Sequence, residues 1–146
     1  MRRDILVSMA VACCLFLLAG CDSSGGEGGT TPVEGEARIV ESFTCRDVEG
    51  SARPVGITEI FSQYHDDRIY VWISWENVEG EHIAEAIWYD PDGSREYESD
   101  ASFNSSTGDQ ITWFYVEPAS MDLGRWEVEI WLDDVFHRSH FFVVEG

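Results

Sequence analysis

From Ala37 to the end of the chain, apolar and polar residues alternate in short runs, and turn-forming clusters interrupt them roughly every 8 to 15 residues. A period of two places successive side chains on opposite sides of an extended backbone. The pattern predicts strands at "IVESFTC" (39–45), "ITEIFSQ" (57–63), "IYVWISWENV" (69–78) and "HIAEAIWY" (82–89). It continues with a polar edge strand in "SREYESDASF" (94–103), then "QITWFYVEP" (110–118), "RWEVEIWL" (125–132) and "VFHRSHFFVVE" (135–145). Between the first two strands, "DVEGSARPVG" (47–56) reads as a loop. "DPDG" (90–93) carries Pro at the second turn position and Gly at the fourth, which suits a type I turn. No long segment has a 3.6-residue period. Seven or eight short antiparallel strands can close as a two-sheet sandwich or a small barrel. Strand count, loop spacing and the spread of Trp residues favour an immunoglobulin-like β-sandwich, although the Cys…Trp…Cys spacing of antibody domains is absent.

The strand period also assigns faces. In "RWEVEIWL", Trp126, Val128, Ile130 and Leu132 share one face, and Glu127, Glu129 and Trp131 share the other. In "IYVWISWE", Ile69, Val71, Ile73 and Trp75 point inward, leaving Tyr70, Trp72 and Ser74 outside. "ITWFY" adds Trp113 or Phe114 to the outer set. If these strands are neighbours, Tyr70, Trp72 and Trp131 form a strip of rings bordered by carboxylates, suited to a protein partner or to stacking on sugars. Cover from a loop, an N-terminal segment or cross-strand packing is the competing expectation.

Residues 1–36 have a different organisation. Two Arg residues precede an apolar run from Ile5 to Leu18, which is shorter than the roughly 20 residues of a permanent membrane span. Small residues follow at Ala19 and Gly20, completing the layout of a secretory signal. Leu18-Ala19-Gly20-Cys21 resembles the lipobox of bacterial lipoproteins. That resemblance implies a signal peptide over 1–20, lipid attachment at Cys21, and anchoring in the bacterial cell envelope at an inner or outer membrane. "DSSGGEGGTTPVEGE" (22–36) has no apolar period and reads as a flexible tether, with a reach on the order of 20 Å. The domain is expected over 37–146. Its C-terminal stretch, with Gly124, Trp126, Val128, Phe142 and Val144, resembles the last hairpin of bacterial extracytoplasmic immunoglobulin-like domains, and "WYDPDG" (88–93) resembles their middle segment. Those positions are packing positions, so the resemblance implies a fold and gives function only by analogy.

Charge and chemistry narrow the function further. A net charge of −19, with nine Arg and no Lys, excludes nucleic acid as a partner. With Cys13 and Cys14 in the signal and Cys21 acylated, Cys45 stands alone, so an internal disulfide is not expected. A buried strand position suits it better than the electropositive niche a reactive thiol needs. His137 and His140 lie three apart, which in a regular strand sends them to opposite faces and disfavours a metal pair. G-x-S-x-G, H-E-x-x-H, P-loop and dinucleotide patterns are missing. Glu76, Glu79, Glu81 and Glu85 read as a solvated face rather than an acid pair, and the acidic turns at 65–67, 90–93 and 133–134 lack a calcium-loop pattern. The expectation is a non-enzymatic binding or accessory domain without cofactor or metal, held at a membrane by Cys21 and contacting an envelope protein. A carbohydrate- or peptidoglycan-binding module is the alternative, and a calcium-stabilised adhesion domain a lesser one.

Overall fold

A computed structural model describes residues 35–146; the expected signal peptide, Cys21 and most of the expected tether lie outside the described residues. Nine strands follow one another: β1 (Arg38–Glu49), β2 (Arg53–Ile57), β3 (Ile60–Ser62), β4 (Ile69–Glu76), β5 (Gly80–Tyr89), β6 (Arg95–Ser105), β7 (Gln110–Val116), β8 (Gly124–Leu132) and β9 (Val135–Glu145). A single 3-10 turn at Pro118–Ser120 joins β7 to β8. The strands form two sheets, β2-β1-β4-β7 and β3-β9-β8-β5-β6, giving the immunoglobulin-like β-sandwich that the alternation predicts.

The core is what the two-residue period dictates. Ile69, Val71, Ile73 and Trp75 of β4 meet Trp126, Val128, Ile130 and Leu132 of β8, with Ala84, Ala86 and Trp88 of β5 and Phe142 and Val144 of β9. Phe114, not Trp113, is the inward ring of β7. Two of the buried indoles find acceptors for their N–H groups. Trp75 Nε1 donates to Thr112 Oγ1 at 2.9 Å, and Trp126 Nε1 donates to the Asp122 carbonyl at 2.8 Å.

The chain departs from the predicted elements between residues 45 and 63. The segment 47–56 is not a loop. β1 runs on to Glu49, turns, and pairs with β2, in a register that sets Cys45 opposite Ile57 and Glu49 opposite Arg53. Pro54 is tolerated there because β2 is an edge strand, where a missing N–H breaks no ladder. The single strand expected over 57–63 is two. Ile57 closes β2 in one sheet, Thr58 and Glu59 carry the chain across, and Ile60–Ser62 joins the other sheet beside β9. That pairing is parallel, so the sandwich is not wholly antiparallel.

Candidate binding surface

Tyr70, Trp72 and Trp131 do not share a face. β4 and β8 belong to different sheets, so their outward side chains leave the sandwich on opposite sides. Tyr70 and Trp72 do project outward, but only 7% and 6% of their surfaces remain exposed. The continuation of β1 into a hairpin with β2 covers them. Cys45, Tyr70 and Trp72 form a second apolar cluster with Phe43, Val48 and Ile111 packed against it. Trp72 stacks on Phe43 with ring centroids 6.0 Å apart, and its Nε1 donates to the carbonyl of Ala52 in the hairpin turn at 2.6 Å. Cys45 sits in the same cluster, fully buried; desolvation pushes its thiol pKa up, with hydrogen bonds to the Val55 and Asp47 backbone opposing. It is a packed strand residue, as its apolar neighbours suggested.

Trp131 is half-buried on the outer face of the second sheet, and its neighbours are rings that the sequence pattern did not single out. Phe136, 48% exposed, meets it edge-on at 5.6 Å. Phe141, 44% exposed, lies farther along β9 with the Arg125 guanidinium 4.0 Å from its ring centroid. A row of acids runs beside these rings. Glu129 accepts hydrogen bonds from Trp131 Nε1 at 3.0 Å and from the Tyr89 hydroxyl at 3.1 Å. Glu85 stands opposite Trp131 across the β5–β8 ladder, and Glu127 stands opposite Phe141 across the β8–β9 ladder. Burial raises the pKa of Glu85, and a hydrogen bond with Glu98 adds to the rise, while Arg95 opposes it. A strip of rings bordered by carboxylates therefore exists, built from β8 and β9 rather than from β4 and β8. Phe136 and Phe141 were hidden because a bulge opposite Ile130/Trp131 shifts the phase of β9 midway.

The same bulge re-aims the histidines. Both contact the opposite sheet instead of pointing to opposite faces. His137 packs edge-on against Trp75 at 5.2 Å, and His140 Nε2 lies 2.7 Å from Ser42 Oγ. Arg138 Nη1 also donates to that hydroxyl, at 3.1 Å. Ser42 Oγ therefore accepts from Arg138 and shares a second hydrogen bond with His140 Nε2, whose direction is set by the imidazole tautomer. Desolvation lowers the pKa of both histidines, and Arg138 lowers that of His140 further. Ser42 is buried, so this polar group ties β1 to β9 inside the seam between the sheets.

The acidic turns are engaged within the fold. Asp66 accepts from Arg46 and from the Ser62 N–H, both at 2.7 Å. Asp90 Oδ1 accepts the N–H groups of Asp92 and Ser94, closing its own turn. Asp133 accepts the Ile83 N–H at 2.9 Å and contacts His82 Nδ1 at 2.6 Å; those bonds outweigh desolvation and lower its pKa. Among the described residues, no group of three or more His, Cys, Asp or Glu side chains is arranged to hold a metal ion.

The fold defines the class as immunoglobulin-like, and solved structures share it. An immunoglobulin-like protein from Pseudomonas aeruginosa superposes with a TM-score of 0.54 at 17% identity, over 75% of this chain and 97% of its own. The C-terminal domain of Wzt gives a TM-score of 0.54 at 10% identity, over 75% of this chain and 74% of that one. The alkylpurine DNA glycosylase AlkC of Pseudomonas fluorescens, in a complex with DNA containing an abasic site analogue, gives 0.53 at 11% identity, over 76% of this chain and 31% of that one. At these identities the likeness is one of fold. No protein-family model matches the chain, and no curated protein matches it.

Proposed function

We propose that this chain is a bacterial envelope lipoprotein, acylated at Cys21, whose immunoglobulin-like domain is a non-enzymatic binding or accessory module for an envelope protein. The contact surface is the outer face of the second sheet at Trp131, Phe136 and Phe141. The observation that carries this surface is the strip itself: half-buried Trp131 with exposed Phe136 and Phe141 on one face, and Glu85, Glu127 and Glu129 beside them. Large rings ordered by neighbours at low entropic cost are the usual anchors of protein interfaces. Tyr70 and Trp72 pack under the β1–β2 hairpin on the opposite side of the sandwich and form no part of this surface.

The test uses the full chain in its own envelope. Cys21→Ser is expected to lose incorporation of a labelled lipid precursor and to release the protein from membranes. Trp131→Ser combined with Phe136→Ser is expected to abolish site-directed crosslinking to a partner while leaving thermal unfolding nearly unchanged. Crosslinking that survives the double variant overturns the assigned surface. A glycan ligand would instead stack on Trp113 and Tyr115, two half-exposed rings on the outer face of β7. A change in tryptophan emission on adding peptidoglycan fragments, lost in Trp113→Leu, selects that reading.

A further inference from the structure

Each sheet ends in two edge strands, and three of the four are blunted. β2 contains Pro54, which offers no N–H, and β3 is only three residues long. β6 carries Arg95, Glu96, Glu98 and Asp100 within the strand and has a register shift at its Trp88/Tyr89 pairing. Bulges, charges, proline and shortness are the devices that stop an edge from pairing with another chain. The stretch of β9 not covered by β3 has its own bulge and directs Arg138 and His140 toward the opposite sheet.

β7 has none of these. Its seven residues, "QITWFYV", contain no proline and no charge. Its register with β4 is unbroken from Ile111 opposite Ser74 to Val116 opposite Ile69. Thr112, Phe114 and Val116 are anchored in the interior, and among the described residues the second edge of β7 has no ladder partner. Beside that free edge lies a groove of about 510 Å³ lined by Glu96, Tyr97, Glu98, Tyr115, Val116 and Glu117. It opens because β6 and β7, consecutive in sequence, belong to different sheets. Glu98 is paired with Arg95, whereas Glu96 and Glu117 have no ion pair among the described residues.

We propose that the free edge of β7 accepts an extended, basic segment of another polypeptide, added as a further strand and seated in the groove toward β6. Backbone pairing supplies the affinity in strand addition, and alternate side chains supply the selectivity. Here those side chains meet Glu96 toward β6 and, on the outer face of β7, the rings of Trp113 and Tyr115 with Glu117 in line beyond them. Charge decides among occupants. A second copy of this chain brings the same net charge of −19. The chain's own tether, "DSSGGEGGTTPVEGE", has four carboxylates and no basic residue. Both are repelled, and a foreign basic segment is attracted. This inference goes beyond the Trp131 surface and stands or falls separately from it.

The test is amide hydrogen exchange on the full chain in detergent, with a synthetic peptide alternating Arg and Val and a control alternating Glu and Val. Saturating Arg–Val peptide is expected to slow alternate amides within 110–116, those not bonded to β4, by about tenfold or more. The Glu–Val peptide leaves them unchanged. Glu96→Gln with Glu117→Gln, both surface changes, weakens the Arg–Val effect by about threefold or more at low salt. No slowing in β7, slowing confined to β9 or to the Trp131 face, equal slowing by the Glu–Val peptide, or full slowing in the double variant each overturns the proposal. Trp131→Ser is expected to leave the β7 response intact, which separates the two surfaces.

Discussion

His137 and His140 show how much one residue's surroundings alter its chemistry. Both sit at the seam between the sheets, and burial is the main reason their pKa values fall below the usual histidine range near 6.5. Arg138 lowers His140 further, while Glu59 raises it; Glu36 and Asp133 raise His137. A depressed folded-state pKa means that the unfolded chain binds the proton more tightly. The stability held by the neutral rings is therefore complete above about pH 6.5 and is lost as pH falls through their folded values. Urea unfolding of the wild type and of a His137→Gln/His140→Gln variant, from pH 7.5 to 5.0, is expected to show the steeper loss in the wild type. Parallel curves would contradict this. The neutral state of these rings was not legible in "HRSH", because the letters do not reveal a bulge.

The tight turn between β8 and β9 is the element whose geometry is most open to test. Asp133 and Asp134 are its two central residues, with φ of 49° and 64°. Positive φ at both positions is the two-residue hairpin turn that matches strand twist, for which an Asp-Gly pair is better suited than Asp-Asp. Asp133 is also bonded to Ile83 and His82 and should be kept. Asp134→Gly removes a Cβ from a left-handed position and is expected to stabilise the protein by about 0.5–1 kcal/mol, seen as a raised Tm. Asp133→Gly is expected to destabilise it, since it unpins β5 from the turn. At this scale the sequence was informative wherever alternation ran unbroken. The inner and outer faces of β4 and β8 are those the period of two assigns. It misled at residues 47–63, where a proline-containing edge strand reads as a loop and a change of sheet leaves no mark on alternation. The expected aromatic strip was wrong in membership for the same reason. The side on which a residue leaves its strand is local, whereas the sheet that strand joins is not.

Across the whole molecule, acidity is the dominant physical fact. With a net charge of −19, the compact state confines carboxylates that the unfolded chain separates. Raising sodium chloride from about 0.05 to 0.5 M shortens the Debye length from over 10 Å to about 4 Å. Tm is expected to rise over that range, and a falling Tm would mean that exposed ion pairs such as Arg53 with Glu49 outweigh the repulsion. The same field attracts basic molecules and repels acidic ones. By itself the sequence determined the all-β class, the inward set of core residues, the buried setting of Cys45 and the acidic surface. Each follows from local alternation or from composition, which need no knowledge of distant contacts. Only the tertiary structure decided which rings are free. It placed Tyr70 and Trp72 under the β1–β2 hairpin, set Trp131 beside Phe136, and left β7 with an open edge. Strand order, bulge position and sheet membership are settled by long-range pairing, and such pairing is invisible in any stretch of residues taken alone.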